Sequence, residues 1–214
     1  MKTNRILWFI AIFFAISIGL YPLIYLLVDG KFGLLNAKPE HLLGSTLWNS
    51  AFYGHIIFGG ISLLIGWIQF RSTWRTRYRK THEAIGMIYL VCISLSGICS
   101  LLLAINAEGG LPARIGFFLL GLVWLSTTYV AYTFLLKGKY SQHGDWMLRS
   151  YAITFAAVML RIWLPLFEGL LHIPFDTAYP IIAWLCWVPN LFVAEWIINR
   201  RNKLNRLVSA PNMP

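Results

Sequence analysis

The residues of this chain that are best suited to chemistry are its histidines and one arginine inside an apolar segment. Histidine side chains ligate metal ions and haem iron, and they exchange protons near neutral pH. Arg161 lies near the middle of the apolar segment 149–170. A charged residue within a membrane span turns towards a partner or a water-filled cavity, so Arg161 is a candidate functional residue. The five histidines are His41, His55, His82, His143 and His172.

The segment from His143 to His172 places its polar side chains along one face of a helix. At 100° per residue these side chains fall within about 40° of one line. They are His143, Ser150, Thr154, Arg161, Glu168 and His172. Such a helix is about 43 Å long, which exceeds a hydrocarbon core of about 30 Å. The two terminal histidines are therefore predicted at opposite faces of a membrane.

The elements that must position these residues are membrane spans. Of the 214 residues 58% are apolar and 12% are charged, which is typical of a membrane protein. Each of six apolar segments is long enough to cross a bilayer, which takes about 20 helical residues. We predict one all-α transmembrane domain over 1–214, with spans at 6–28, 49–70, 84–105, 114–136, 149–170 and 179–198. The first span is longer than the apolar part of a secretory signal, so we expect it to be retained.

The lysines and arginines give an orientation. Fourteen of the 18 fall before the first span or after the second, fourth and sixth, and three fall in the other connections, at Lys31, Lys38 and Arg114. Basic residues are retained on the cytoplasmic side, so both termini are predicted to be cytoplasmic, in a bacterial inner membrane. The basic excess indicates contact with anionic lipids at that face and excludes nucleic acid as the partner. Glu195 could neutralise a basic group there or reach towards headgroups.

One connection is expected to be helical, and the C-terminal tail is not. The sequence PEHLLGSTLW, which contains His41, predicts a short interfacial helix before the second span. The tail after Asn199 is predicted to fray.

Two further spans carry a polar or small-residue stripe that begins with a histidine. The second span has His55, Gly59, Ser62, Gly66 and Gln69 on one side, and the third has His82, Gly86, Tyr89, Ser96 and Ser100. Small residues at this spacing let a neighbouring helix approach closely. By depth, the histidines form two candidate pairs: His82 with His143 at the inner face, and His55 with His172 or His41 at the outer face. Spans two to five are predicted to form a polar-lined core that the first and sixth flank.

The pairing of histidines from different helices predicts a haem protein. Two neutral imidazoles are the axial ligands of a b-type haem, and facing helices of a bundle can hold them. His55, His82, His143 and His172 are the candidate ligands, with His82 and His143 as the leading pair for haem iron or another metal. Arg161 could then pair with a haem propionate or with Glu168. Our first hypothesis is therefore electron transfer across the membrane on haem b.

Three other hypotheses fit the same residues. A zinc or copper site would use three histidines with a carboxylate from Asp145, Glu83 or Glu168. A proton-coupled solute transporter would use Arg161, Glu168 and His55 in a cavity of the outer half. A scaffold would use the polar stripes only to join helices. No motif of a soluble enzyme is present to assign an activity.

Three segments resemble a bacterial family of predicted membrane proteins known as a domain of unknown function. They are GHIIFGGISLLIGWIQF with the arginines that follow it, THEAIGMIYL, and HGDWMLRSYAITFAAVMLRIWLPL. The pattern H-x-x-W-M-x-R-S-Y-A with a later L-R is the most specific part, and the resemblance runs from about the second span to the end of the sixth. It implies a multi-pass helical protein and no established activity. It places five residues at motif positions: His55, His82, His143, Arg149 and Arg161.

A looser similarity is to four-helix transmembrane b-type cytochromes. It rests on the architecture and on the placement of the histidines. It implies haem b as the cofactor.

Overall fold

Helices make up the structure from end to end of the described chain. The computed structural model describes residues 5–27 and 33–209, in which the backbone forms no β-strand. In chain order the helices are α1 (Arg5–Leu20), α2 (Pro22–Leu27), α3 (Glu40–Leu43), α4 (Thr46–Gly66), α5 (Ser72–Arg77), α6 (Arg79–Ile105), α7 (Gly110–Leu136), α8 (Tyr140–Thr154), α9 (Ala156–Pro165), α10 (Phe175–Leu185) and α11 (Val188–Ser209). The predicted all-α class is confirmed.

Six of these helical segments are long and apolar enough to cross a membrane, as predicted. They run over Arg5–Tyr25, Thr46–Phe70, Arg79–Ile105, Gly110–Leu136, Tyr140–Leu170 and Phe175–Leu207. Most of the observed helices extend beyond the predicted spans. Only the part of a helix that crosses the hydrocarbon core has to be apolar, so the polar ends of these helices were not included in the prediction. Val28, at the predicted end of the first span, lies outside the described residues. The predicted short helix with His41 is confirmed as α3, where His41 is exposed, and its place at the membrane interface stays a prediction.

The prediction that the tail frays after Asn199 is wrong for residues up to 209. Helix α11 continues to Ser209. Arginine, lysine and leucine are good helix formers, and Arg201 forms an ion pair with Asp145 of α8. A tertiary contact of this kind could not be seen in the composition of the tail. Residues 210–214 lie outside the described part.

Spans two to five form a ring of four helices. Helix α4 packs on α6, α6 on α7, and α7 on α8, and α8 returns to touch α4. The first span packs through α1 on α4 and α9, and the sixth packs through α10 on α7 and α9 and through α11 on α8. This arrangement confirms the prediction that the first and last spans flank a core of the other four. Large side chains of α1 are exposed, including Phe9 at 63% and Phe13 at 65%, as lipid-facing residues are.

The second span, helix α4, approaches its neighbours closely at its glycines, as predicted. A Cβ atom on Gly60 would lie 2.7 Å from the carbonyl oxygen of Gly19 on α1. A Cβ on Gly59 would lie 3.1 Å from Ser96 Oγ on α6, and one on Gly66 would lie 2.5 Å from the ring of Tyr151 on α8. Helix α4 therefore contacts neighbours on three sides through positions without a side chain.

Three of the six spans are interrupted within the membrane. The first breaks at Tyr21 and the sixth at 186–187, each next to a proline, Pro22 or Pro189, whose ring excludes a helical hydrogen bond. The fifth breaks at Phe155, one residue after Thr154. The Thr154 hydroxyl donates to the Ser150 carbonyl at 2.9 Å, a back-bond that bends helices.

The two ends of the bundle differ in charge. We call the end at which the described chain begins with Arg5 and finishes with Ser209 the termini end, and the opposite one the far end. At the termini end arginines lie over aromatic rings, with the guanidinium carbon of Arg71 4.9 Å from the ring centre of Trp8, that of Arg149 4.4 Å from Trp146 and that of Arg200 5.4 Å from Trp196. Cations and aromatic rings are typical of a membrane interface. Which side of the membrane this end faces stays a prediction. Lys2 and Lys31, which contributed to that prediction, lie outside the described residues.

The contact of Gly60 with Gly19 gives a prediction about stability. Gly60→Ala should lower the free energy of unfolding by about 1–3 kcal/mol, because the added methyl group meets backbone that cannot move aside. Gly144→Ala is the control, since its Cβ would meet nothing within 4 Å, and it should be neutral or slightly stabilising. Thermal unfolding in detergent measures both. Equal midpoints for Gly60→Ala and the wild type would contradict the packing described.

Candidate functional site

A cavity of about 240 Å³ lies among the spans in the half of the bundle nearest the far end. Residues from all six spans line it. Most of the lining is apolar, and seven of the lining residues are aromatic: Tyr25, Trp48, Phe52, Phe117, Trp124, Phe175 and Tyr179. The breaks of the first, fifth and sixth spans adjoin it, since Pro22, Ala156 and Cys186 are also lining residues. The size is slightly below the range of about 300–1,000 Å³ of common ligand pockets.

Arg161 lies on the wall of this cavity, as expected for a charged residue within a membrane span. Its Nη1 donates to the Ala157 carbonyl oxygen at 3.0 Å, one turn nearer to the middle of the membrane. The guanidinium carbon is 4.6 Å from the ring centre of Tyr21. An arginine that reached for headgroups would point towards the far end. The hydrogen bond to Ala157 shows that this side chain points the other way. Across residues 5–27 and 33–209, no carboxylate lies within 4 Å of the guanidinium nitrogens.

His55 faces the same cavity from α4. Arg161 of α9 lines the same cavity. His55 Nδ1 is 3.2 Å from the Ser96 carbonyl oxygen and 3.1 Å from Ser96 Oγ, whose own proton goes to the His55 carbonyl at 2.8 Å. A carbonyl can only accept, so Nδ1 carries the proton and Nε2 is left as an acceptor. The cavity therefore holds one permanent cation and one proton acceptor at similar depth.

Lys38 and Glu108 line the cavity at the far end, and sequence reasoning did not identify either. Lys38 Nζ donates to the Asn106 carbonyl at 2.5 Å and to Glu108 Oε1 at 3.1 Å. Both residues belong to loops without a periodic pattern, so only the folded structure brings them together. Their charges cancel, and the cavity keeps the positive charge of Arg161.

Next to the cavity, on the side towards the termini end, lies a buried group of four hydroxyls that we call the hydroxyl layer: Tyr89, Thr128, Ser150 and Thr154. Tyr89 OH is 3.0 Å from both Ser150 Oγ and Thr154 Oγ1, and Ser150 Oγ is 2.7 Å from Thr128 Oγ1. Trp124 Nε1 donates to Thr154 Oγ1 at 2.9 Å. The layer joins α6, α7 and α8 at the centre of the four-helix ring. The stripes predicted Tyr89, Ser150 and Thr154 as polar positions, but not that they meet.

The predicted pair at the termini end lies on the other side of the hydroxyl layer. His143 lies near enough to His82 to contribute to the electrostatic environment of the His82 ring. His143 Nδ1 lies 2.8 Å from the Ala131 carbonyl oxygen, so this nitrogen also carries the proton. Nδ1 of His82 is buried without a hydrogen-bond partner.

Two ion pairs join helices at the same end. Arg149 Nε and Nη2 donate to the two carboxylate oxygens of Glu195 at 2.5 and 2.9 Å. Asp145 pairs with Arg201. Glu195 thus neutralises a basic group, the first of the two roles considered for it. Asp145, a candidate carboxylate of a metal site, and Arg149, a residue at a motif position, thus connect α8 to α11.

The structure does not bring together the predicted partners at the far end. His172 and His41 are exposed and do not line the cavity that holds His55. Glu168 is exposed too and forms no ion pair with Arg161, so that predicted pairing is wrong. Glu168 does not lie beside Arg161 because the helix changes form after Pro165. Residues Leu166–Leu170 form a wide π-helical turn, so the spacing of a regular helix no longer holds there.

The proposed zinc or copper site is not assembled either. Among the described residues, no three of histidine, cysteine, aspartate and glutamate lie close enough to hold a metal ion together. The physical reason is the separation of the histidines between the two ends of the bundle. His82 with His143 remains a pair without a third ligand of this kind.

A comparison with known protein families gives one match. The family model described as predicted membrane protein (DUF2306) matches residues 52–198. This range runs from the second span to the sixth, as the resemblance of the three sequence segments indicated, and it includes Arg161, His55 and the whole hydroxyl layer. No curated protein and no solved structure matches the chain.

The contrast between two arginines gives the prediction from this site. Arg161→Met should leave the free energy of unfolding unchanged or raise it by about 1 kcal/mol, because a buried cation without a carboxylate partner is replaced by an apolar side chain. Arg149→Met should lower it by about 1 kcal/mol or more, because it leaves the Glu195 carboxylate unpaired. Thermal unfolding of the ligand-free protein in detergent compares them. A large destabilisation by Arg161→Met would mean that this arginine has a structural role.

Proposed function

The chain belongs to this family of predicted membrane proteins, and we propose that it binds a small organic anion in the far-end cavity and carries it across the membrane. The observation that supports this proposal most is the position of Arg161. Its guanidinium keeps its charge at all physiological pH values, and it faces a cavity without a carboxylate partner among the described residues.

The energetics of a buried charge favour an anionic ligand. An arginine at the centre of a membrane helix costs about 2.5–3.5 kcal/mol on insertion scales. The Tyr21 ring and the Ala157 carbonyl offset part of this cost without neutralising the charge. A bound anion would neutralise it and make charge-assisted hydrogen bonds. His55, at a similar depth, offers a second polar group to the same ligand.

The rest of the lining indicates the chemical class of that anion. Seven aromatic residues and several aliphatic ones surround a space of about 240 Å³, which suits a compact apolar or aromatic body. The ligand would therefore carry one carboxylate, sulfonate or similar group on a small apolar body. A sugar or a nucleotide would leave many polar groups unsatisfied against this wall.

The interrupted spans support transport over static binding. In many secondary transporters the substrate site lies where membrane helices are broken, and the half-helices move relative to one another. Here the breaks at Tyr21, Phe155 and 186–187 adjoin the same cavity. Glu168, a residue of the transporter hypothesis, has no part in this site because its side chain is exposed and does not line the cavity.

The proposal predicts selective loss of binding in an arginine variant. Arg161→Gln should weaken the binding of benzenesulfonate about 10- to 100-fold, because one charge-assisted hydrogen bond contributes about 1.5–3 kcal/mol. Benzoate and butanesulfonate complete the panel. Isothermal titration calorimetry on detergent-purified protein measures the affinities.

Two controls make the result specific. Arg114→Gln removes an exposed arginine that does not line the cavity, and it should bind benzenesulfonate as the wild type does. Benzenesulfonamide, a neutral relative of the probe, should bind the wild type more weakly than the sulfonate. Equal binding by Arg161→Gln and the wild type, or equal binding of the two probes, would contradict the proposal.

A second candidate function is electron transfer on a b-type haem at the termini end. It rests on the proximity of His82 and His143, two imidazoles on different helices. Haem at the far end is not proposed, because His172 and His41 do not reach the cavity of His55. Protein expressed with a haem supply should show a Soret band that His82→Ala abolishes. A spectrum without this band would remove the candidate.

A further inference from the structure

We infer that the ion pair between Lys38 and Glu108 is a latch, which closes the cavity at the far end and opens to admit or release the ligand. This inference rests on the proposed function and adds the place at which the ligand enters. The latch joins two connections between spans, the one before α4 and the one between α6 and α7.

The first argument is the place of the pair in the cavity wall. Leu35 and Lys38 belong to the connection before α4, and Ala107 and Glu108 belong to the connection between α6 and α7. All four residues line the cavity. Both connections lie at the far end, because α4 begins there and α6 ends there. The bond from Lys38 Nζ to Glu108 Oε1, at 3.1 Å, therefore joins two parts of the wall on its far-end side.

The second argument is the burial of the pair. The Lys38 side chain is 13% exposed and that of Glu108 is 35% exposed. Lys38 Nζ also donates to the carbonyl oxygen of Asn106 at 2.5 Å. Asn106 is the C-terminal cap of α6, where the negative end of the helix dipole stabilises a cation. An ion pair that is shielded from water is stronger than one on the surface, so this pair can hold the two connections together.

The third argument is the small size of the part that the latch holds. The connection before α4 contains a five-residue 3₁₀ turn, Gly33–Ala37, and the four-residue helix α3. The residues of α3 are all exposed or partly exposed. Short elements with few buried side chains open at a lower free energy than packed helices do. Leu35, which packs against Trp48 and Phe52, would leave the cavity wall when this connection moves.

Two other roles of the pair give different predictions. If Lys38 attracted the anion electrostatically, loss of its charge would slow association, and loss of the Glu108 charge would speed it. If the pair only joined the two connections, its loss would lower the stability and leave the binding rates unchanged. A latch makes both association and dissociation faster when either partner is lost.

The test compares the rates of ligand binding by the full chain in detergent. Lys38→Met and Glu108→Gln each break the pair. Arg79→Gln is the control, because it breaks an exposed ion pair on α6 that does not line the cavity. The probes are benzenesulfonate and its neutral relative benzenesulfonamide. Stopped-flow tryptophan fluorescence follows their binding, since Trp48 and Trp124 line the cavity, and thermal unfolding is measured on each protein.

Both latch variants should bind and release benzenesulfonamide about tenfold faster than the wild type, because each loses one charge-assisted hydrogen bond that keeps the cavity closed. The neutral probe does not respond to the altered charge, so its affinity should stay as in the wild type. Arg79→Gln should show the rates of the wild type. Unchanged rates for benzenesulfonamide in both latch variants would overturn the latch and leave the proposed function standing.

A reversible cross-link is the second measurement, and it decides the result should a latch variant fail to fold. Lys38→Cys and Glu108→Cys are combined in a background without the three native cysteines, and a bifunctional methanethiosulfonate joins them. The joined protein should bind benzenesulfonate about a hundredfold more slowly, and reduction with dithiothreitol should restore the rate. Equal rates before and after reduction would overturn the latch alone. Absence of benzenesulfonate binding in the wild type would overturn both the latch and the proposed function.

Discussion

A guanidinium group inside a lipid bilayer has to be separated from the hydrocarbon, and the fold of this protein provides that separation for Arg161. The side chain lies between the first and fifth spans, over the Tyr21 ring, and its Nη1 donates to a carbonyl of its own helix. These contacts hold the cation in place without neutralising it. Because the guanidinium is not neutralised by these contacts, a cavity lies in front of it, from which a polar ligand can reach the charge. Residues from all six spans surround this cavity.

Small residues and helix breaks make this arrangement possible. Gly60 lets the first span lie against the second, which places Pro22 and Tyr25 at the cavity. The bend at Phe155 follows from the back-bond of Thr154, a residue that also belongs to the hydroxyl layer. The layer closes the cavity towards the termini end and joins three helices. One set of polar contacts thus shapes the site and holds the ring of four helices together.

Most of the fold could be predicted from the sequence, because the hydrocarbon core imposes a length and a composition that every span must meet. The six spans, the flanking position of the first and last, and an inward-facing Arg161 all follow from that constraint. The site could be predicted only in part. Glu168 was expected beside Arg161 because a regular helix repeats after seven residues, and the π-helical turn after Pro165 breaks that repeat. Lys38 and Glu108 meet through loops, whose course no periodicity describes.

The central claim is that the cavity beside Arg161 is positively charged and admits an anion, and the reactivity of a cysteine placed in it tests this most directly. Ala157→Cys, in a background without the three native cysteines, puts a thiol on the cavity wall beside Arg161. Negatively and positively charged methanethiosulfonate reagents are then applied from the far end of the membrane. The account predicts that the negative reagent reacts about tenfold faster, and that adding Arg161→Gln abolishes the difference. Equal rates for the two reagents, or no reaction from that side, would contradict it.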